Sequence, residues 1–248
     1  MSNQLPSGDT SLLAEVHATS SGLKVLATTT AIQDLEVARR SMGGHGYSAF
    51  SGLGRIYADY VPSATCVVIL CQLWHADKSR LKRYEGDNYV LDEQVVRAAL
   101  KSHKNFLSAK DPSTSLLSPS SYYLRFLADG SDRMPSLTNA WWKDLTSAVL
   151  LLEWRAALVV QDLALNQSNP DASANQRVSK AVVEAYVAVQ VARMIQELEL
   201  TDEDKSIVGD LYRLVSGLSL HEGKRTKVLS SISSRQWNRV WLISYLLG

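Results

Sequence analysis

The chain has 248 residues, 46% of them hydrophobic, enough to bury one sizeable core or two modest ones. Lys plus Arg (26) almost cancels Asp plus Glu (25), so no general field draws in nucleic acid or an anionic membrane, and a nucleic-acid partner is not expected. Two cysteines, Cys66 and Cys71, exclude a disulfide scaffold and favour a reducing intracellular compartment.

The longest uncharged apolar run, Cys66 to Trp74, is far short of the roughly 20 residues a membrane-crossing helix needs, so a soluble chain with no membrane span is expected. Met1 to Thr10 is polar and contains Pro6 and Gly8, which does not make a secretory signal. The last residues, Ser244 to Gly248, are not the Ser-Lys-Leu peroxisomal address.

Asp9 or Thr10 can cap a first helix running to about Met42, where Gly43 and Gly44 stop it. Leu12, Val16, Leu23 and Leu26 give that helix one apolar face. Gly43 to Thr65 holds five glycines and Pro62 and reads as an ordered loop rather than a helix. Residues 66–83 begin β-branched and apolar, then switch abruptly to Asp77, Lys78, Arg80, Lys82 and Arg83. Asp87 or Asn88 caps a helix to about Leu107, with Leu91, Val95 and Ala98 on one face. A Ser/Pro-rich connector over 110–135 is the best candidate for a domain boundary. Long helices follow at about Leu137–Leu165, Ala174–Leu198 and Asp202–Leu218, the last announced by Thr201, Asp202, Glu203 and Asp204. A weaker one is expected over Gln236–Leu247. With no alternating strands and no sustained heptad, the pattern predicts an all-α helical bundle.

Two segments carry candidate chemistry. In Arg39 to Tyr47 the glycines at a helix end would let backbone N–H groups approach a phosphate with no Cβ in the way, although glycines also stop helices for no other reason. In Tyr84-Glu85-Gly86-Asp87-Asn88 a carboxylate stands just before a helix, a position where an acid more often caps. Their order changes the odds. Glu36 to Arg39, the Gly-Gly-His-Gly-Tyr run, Gly52, Ile56-Tyr57, Pro62 to Thr65 and Tyr84 to Asn88 together resemble the peroxisomal acyl-CoA oxidases. Glu15 to Ala18 and Gly22 to Lys24 fit the same family. The match is dense from Leu12 to Lys101 and thinner over the later helices.

The resemblance implies an FAD-dependent oxidoreductase of fatty-acid β-oxidation, peroxisomal and homodimeric, turning acyl-CoA and O2 into trans-2-enoyl-CoA and H2O2. It implies that Glu85 is the catalytic base and that Gly86 lies at the substrate. Gly43, Gly44 and Gly46 match the loop that contacts FAD, with Arg40 and Asp87 as weaker cofactor contacts. His45 is read as a locally packed loop residue. The implied domains are a first C-terminal helical domain (1–109), a linker (110–135) and a second, truncated helical domain (136–248). Nothing matches the family's N-terminal helical domain or β-domain, so the isolated chain is expected not to turn over. The alternatives are a non-catalytic helical dimerisation fragment and an acyl-CoA dehydrogenase.

The family runs nearly directly from the Pro-Ser-x-Thr turn into the Glu-Gly pair, whereas residues 66–83 intervene here. Their excision restores the family pattern, which suggests a translated intron. A metal site at Cys66, Cys71 and His75 is the rival reading, disfavoured because no fourth ligand is evident; no metal is expected.

Overall fold

The computed structural model describes residues 13–64, 87–108, 117–128, 144–166 and 173–223. Among these there is no strand: seven α-helices and short 3-10 turns account for the regular structure. The chain divides into two units, Met1–Ala98 and Ala99–Gly248.

In the first unit α1 (Leu13–Ser41) is the frame. It is rich in Ser and Thr, which compete with the helix for backbone partners. Here Thr28 Oγ1 turns back onto the Lys24 carbonyl at 2.9 Å, and Ser20 and Ser41 do the same to His17 and Ala38. The residues after α1 are helical where a loop was expected. They form α2 (Gly44–Tyr47), a 3-10 turn (Ala49–Ser51), α3 (Leu53–Tyr60) and a second 3-10 turn (Val61–Ala64). The loop expectation treated every glycine as a breaker. Only two act so: Gly43 (φ 56°) and Gly52 (φ 72°) take the left-handed backbone that L side chains avoid and stand before α2 and α3. Gly44, Gly46 and Gly54 sit inside helical turns. Pro62 falls near the start of a 3-10 turn, where a missing N–H costs nothing.

The fourth helix, α4 (Asn88–Ser108), crosses the boundary between the units. Asp87 caps it, receiving the Tyr89 N–H on Oδ1 at 3.3 Å and the Leu91 N–H on its carbonyl at 3.1 Å. This agrees with the sequence expectation to within a residue.

The second unit is built around α5 (Leu145–Leu165), which packs on α6 (Ala174–Glu197) and α7 (Asp202–Gly223). Asp144 starts α5 by accepting the N–H groups of Thr146 and Ser147, each at 3.1 Å, and the Ser147 hydroxyl at 2.9 Å. Every residue from Leu151 to Val160 is buried, so α5 is covered on all sides and no amphipathic stripe marks it. Ala156, Ala157 and Ala188 are wholly inaccessible, small enough to let α5 and α6 approach closely.

Two charges inside this run need partners, because an unpaired buried ion is costly. Glu153 takes both Arg125 nitrogens, Nη1 and Nη2, at 2.6 Å each. Arg155 is paired with Glu184 of α6, whose other oxygen faces Lys180 at 3.9 Å. Arg125 belongs to a 3-10 segment, Tyr122–Leu127, that lies within the stretch read as a connector. That segment packs on α5 with Tyr123, Leu124 and Leu127 buried, so this part of 110–135 is core rather than linker. The expected helix over Gln236–Leu247 and the segment 66–83 lie outside the described residues.

Candidate functional site

The glycine turn is held by what surrounds it. Gly43 N–H closes the end of α1 by donating to the Arg40 carbonyl at 3.0 Å, and Gly46 N–H donates to the Gly43 carbonyl at 3.1 Å. Gly46 is buried against the last turns of α1, where a Cβ would fall 1.7 Å from the Arg39 carbonyl oxygen. No other residue fits there. Gly44 is the opposite case: it is exposed, and a Cβ would meet nothing within 4 Å. Its N–H belongs to a first helical turn, which has no intrahelical acceptor.

Beside the turn, Glu36 collects two guanidinium groups. Arg39 donates to its Oε2 from Nε (2.9 Å) and Nη2 (2.6 Å), and Arg40 Nε donates to its Oε1 at 2.9 Å. Desolvation works against the Glu36 charge, but the hydrogen bonds from Arg39 and then Arg40 outweigh it and hold the carboxyl below its usual range. Arg40 is held above its ordinary value, first by the hydrogen bond to Glu36. Its side chain is 71% exposed, against 20% for Arg39. The trio carries one net positive charge, displayed at Arg40. An open amide at Gly44, the absence of a Cβ at Gly43 and Gly44 and an exposed guanidinium form a donor set suited to a phosphate group.

A second cluster joins α1 to the start of α4. Lys24 Nζ donates to Asn88 Oδ1 at 2.7 Å and to the Ala64 carbonyl at 3.4 Å. Asn88 Nδ2 donates to Thr28 Oγ1 (3.1 Å) and Thr29 Oγ1 (3.2 Å), and Ser21 Oγ to Gln94 Oε1 (3.3 Å). Sequence reasoning had Asn88 as an alternative cap and as the end of the Tyr84 to Asn88 motif, and gave Thr28, Thr29 and Gln94 no role. The signal available was polar residues on the buried side of a helix, Ser21 and Thr28 among them.

Of the residues singled out from sequence, the structure brings Arg40, Gly43, Gly44 and Gly46 together at one turn. Asp87 lies elsewhere, exposed and engaged as a cap. His45 is exposed on α2. Glu85 and Gly86, with Cys66, Cys71 and His75, lie outside the described residues. Among the described residues no group of three metal-ligating side chains forms, and no helix is long and apolar enough to cross a membrane.

Residues 1–72 match the family described as acyl-CoA oxidase, C-alpha1 domain. Peroxisomal acyl-coenzyme A oxidase 1 of Bos taurus is 31% identical over 232 residues, 86% of this chain. The chain belongs to the acyl-CoA oxidase family. Peroxisomal acyl-coenzyme A oxidase 1 of Arabidopsis thaliana is 37% identical over 112 residues, 45% of the chain. The chain spans 14% of the Arabidopsis relative and 31% of the bovine one. Among solved structures, acyl-CoA oxidase-2 of Caenorhabditis elegans, bound with FAD, ascaroside-CoA and ATP, superposes with a TM-score of 0.71 at 25% identity, covering 98% of this chain and 34% of that one. A tomato acyl-CoA oxidase shares the fold with a TM-score of 0.70 at 24% identity, over 92% of this chain and 33% of its own. The all-α architecture is that of the family's C-terminal helical part.

Proposed function

We propose that this chain supplies the C-terminal helical part of a peroxisomal, FAD-dependent acyl-CoA oxidase acting in fatty-acid β-oxidation. The observation that supports the reading is the glycine turn: a buried Gly46, an open Gly44 and an exposed Arg40 are the residues that the resemblance offers as a cofactor-contacting loop. Gly44 would offer its backbone N–H to the cofactor's pyrophosphate, Gly43 and Gly46 would shape the turn whose own hydrogen bonds use their N–H groups, and Arg40 would neutralise part of the phosphate charge. Asp87, which the resemblance offers as a weaker cofactor contact, also fixes the start of α4 as its cap.

Glu85 would remove the α-proton of a fatty acyl-CoA, taking it onto the side-chain carboxylate. An α-proton beside a thioester is a weak acid, so the base must be ionised yet poorly solvated. The Glu85 backbone N–H would donate to the thioester oxygen as negative charge develops there, and Gly86, with no side chain, would leave the substrate room. When bound, FAD accepts the hydride that leaves Cβ and returns its electrons to O2 as H2O2.

The test is a chimera in which this chain replaces the matching residues of the Arabidopsis relative. It should bind FAD and release peroxide on palmitoyl-CoA, and Glu85→Gln should abolish peroxide while leaving the flavin absorbance intact. Peroxide release that survives Glu85→Gln removes the assignment of the base, and oxidation only with an added electron acceptor would point to a dehydrogenase. A second reading, a dimer-forming helical segment without catalysis, is favoured by one observation: Val37, Phe50 and Ile56 of the first unit are all exposed, Phe50 completely. A flavin-free dimer in sedimentation would support that reading.

A further inference from the structure

Arg39 was not among the residues whose type suggested a role, yet it meets the glycine turn at Gly46 and Tyr47. Its guanidinium carbon lies 4.6 Å from the ring centroid of Tyr47, at the end of α2, and 4.6 Å from that of Tyr57 in α3. Its side chain closes two hydrogen bonds onto Glu36. Its backbone carbonyl is the surface against which Gly46 rests. One residue therefore ties α1 to α2 and α3, and through Glu36 it also governs Arg40.

From this geometry we infer that Arg39 is the positioning residue of the glycine turn, setting both where the amides of α2 point and how much positive charge Arg40 shows. The inference rests on the reading of that turn as a phosphate site.

The chemistry requires arginine. A planar guanidinium can stack on aromatic faces and still donate in its own plane to a carboxylate, whereas an ammonium is a point charge that does neither well. Two consequences separate positioning from mere support. Without Arg39 the Glu36 carboxylate is shared with nobody, so it cancels the Arg40 cation outright. The local net charge then falls from one to zero, and the attraction for an anion loses its salt dependence. The rings of Tyr47 and Tyr57 also lose the group between them, and α2 loses one of its ties to α1, keeping the Gly46 contact and the Arg40–Tyr47 interaction.

The experiment compares the full chain with its R39M and R39K variants by hydrogen exchange and by ADP binding at low and high salt, ADP serving as a pyrophosphate probe. R39M should speed amide exchange over residues 43–48 by about tenfold, leaving α5 and α6 unchanged. It should weaken ADP by about tenfold at low salt, the expected loss of one charge-assisted contact, and flatten the salt dependence. R39K restores the charge, so it should recover the salt dependence while exchange over 43–48 stays fast. Exchange over 43–48 that matches wild type in both variants overturns the inference. If the wild-type chain does not bind ADP at all, the phosphate-site reading fails, and the exchange result still decides the role of Arg39.

Discussion

Gly46→Ala is the sharpest perturbation the structure offers. The added Cβ would stand 1.7 Å from the Arg39 carbonyl oxygen, 2.7 Å from its carbon and 3.2 Å from its Cα. All three are backbone atoms of α1, so no rotamer change can relieve the clash. Real Cβ atoms essentially never come within 3.0 Å, which means α2 must retreat by roughly 1.3 Å or the last turn of α1 must unwind. Overpacking that only displaces side chains costs about 1–3 kcal/mol, and a backbone displacement belongs at or above the top of that range. For a unit of this size about 3 kcal/mol corresponds to a fall in Tm of at least 10 °C. Gly44→Ala is the matched control: its Cβ meets nothing within 4 Å, and the change should be neutral or stabilising by up to about 1 kcal/mol. Thermal unfolding followed by circular dichroism, with hydrogen exchange over 43–60 to assign the transition to the first unit, measures both. A Gly46→Ala chain that melts within 2 °C of Gly44→Ala would show that the close approach of α2 to Arg39 is not what the fold depends on.

Other outcomes follow from the second unit. Arg125→Met leaves Glu153, 4% exposed, without its two-pronged partner, and should cost about 3–5 kcal/mol in urea unfolding; the double change to methionine at 125 and 153 should recover most of that loss. Asp144→Ala removes the cap of α5 and should cost about 1 kcal/mol. Burial opposes the Asp144 charge, but hydrogen bonds from Ser147 and Thr146 outweigh it and hold its carboxyl below the usual aspartate value. Its stabilisation is therefore present at neutral pH and lost as pH falls through that lowered value, so the variant and wild type should converge in strong acid. Burial lowers the His103 pKa from its ordinary 6.5, so the unfolded chain takes up a proton first as pH drops. Stability should decline below about pH 6.5, and His103→Asn should flatten that slope in unfolding measured from pH 7.5 to 5.

The helices of the second unit could be read from sequence because their ends carry local chemistry. Asp202 to Asp204 at the start of α7 place acids at the positive end of a dipole, and the expected starts of α6 and α7 match the observed ones. The start of α5 was less readable: the sequence reading put it at about Leu137, whereas Asp144 is the residue whose side chain caps it. The buried ion pairs were not legible at all, since Glu153 and Arg155 meet partners 28 and 29 residues away. At the site, the cluster of Arg40 with the glycines stood out through the family resemblance, because the glycines taken alone read equally well as a helix stop. The helices inside Gly43 to Ala64 were not, because glycine's breaking tendency is a local preference that tertiary contacts with α1 override. Arg39 stood in the Glu36 to Arg39 and Arg39 to Tyr47 segments but received no role of its own, for a related reason: a guanidinium between two tyrosines depends on ring positions that spacing alone does not specify.

The ammonium of Lys24 holds Ala64 with one hydrogen bond and Asn88 with another. Both stems of whatever lies between them are thus moored to the same point on α1. Extra chain length there need not shift either stem, because closing a longer loop between fixed ends adds only about 0.6 kcal/mol per doubling. A lineage can therefore lengthen or shorten this stretch freely while the register of α1 against α4 is inherited unchanged.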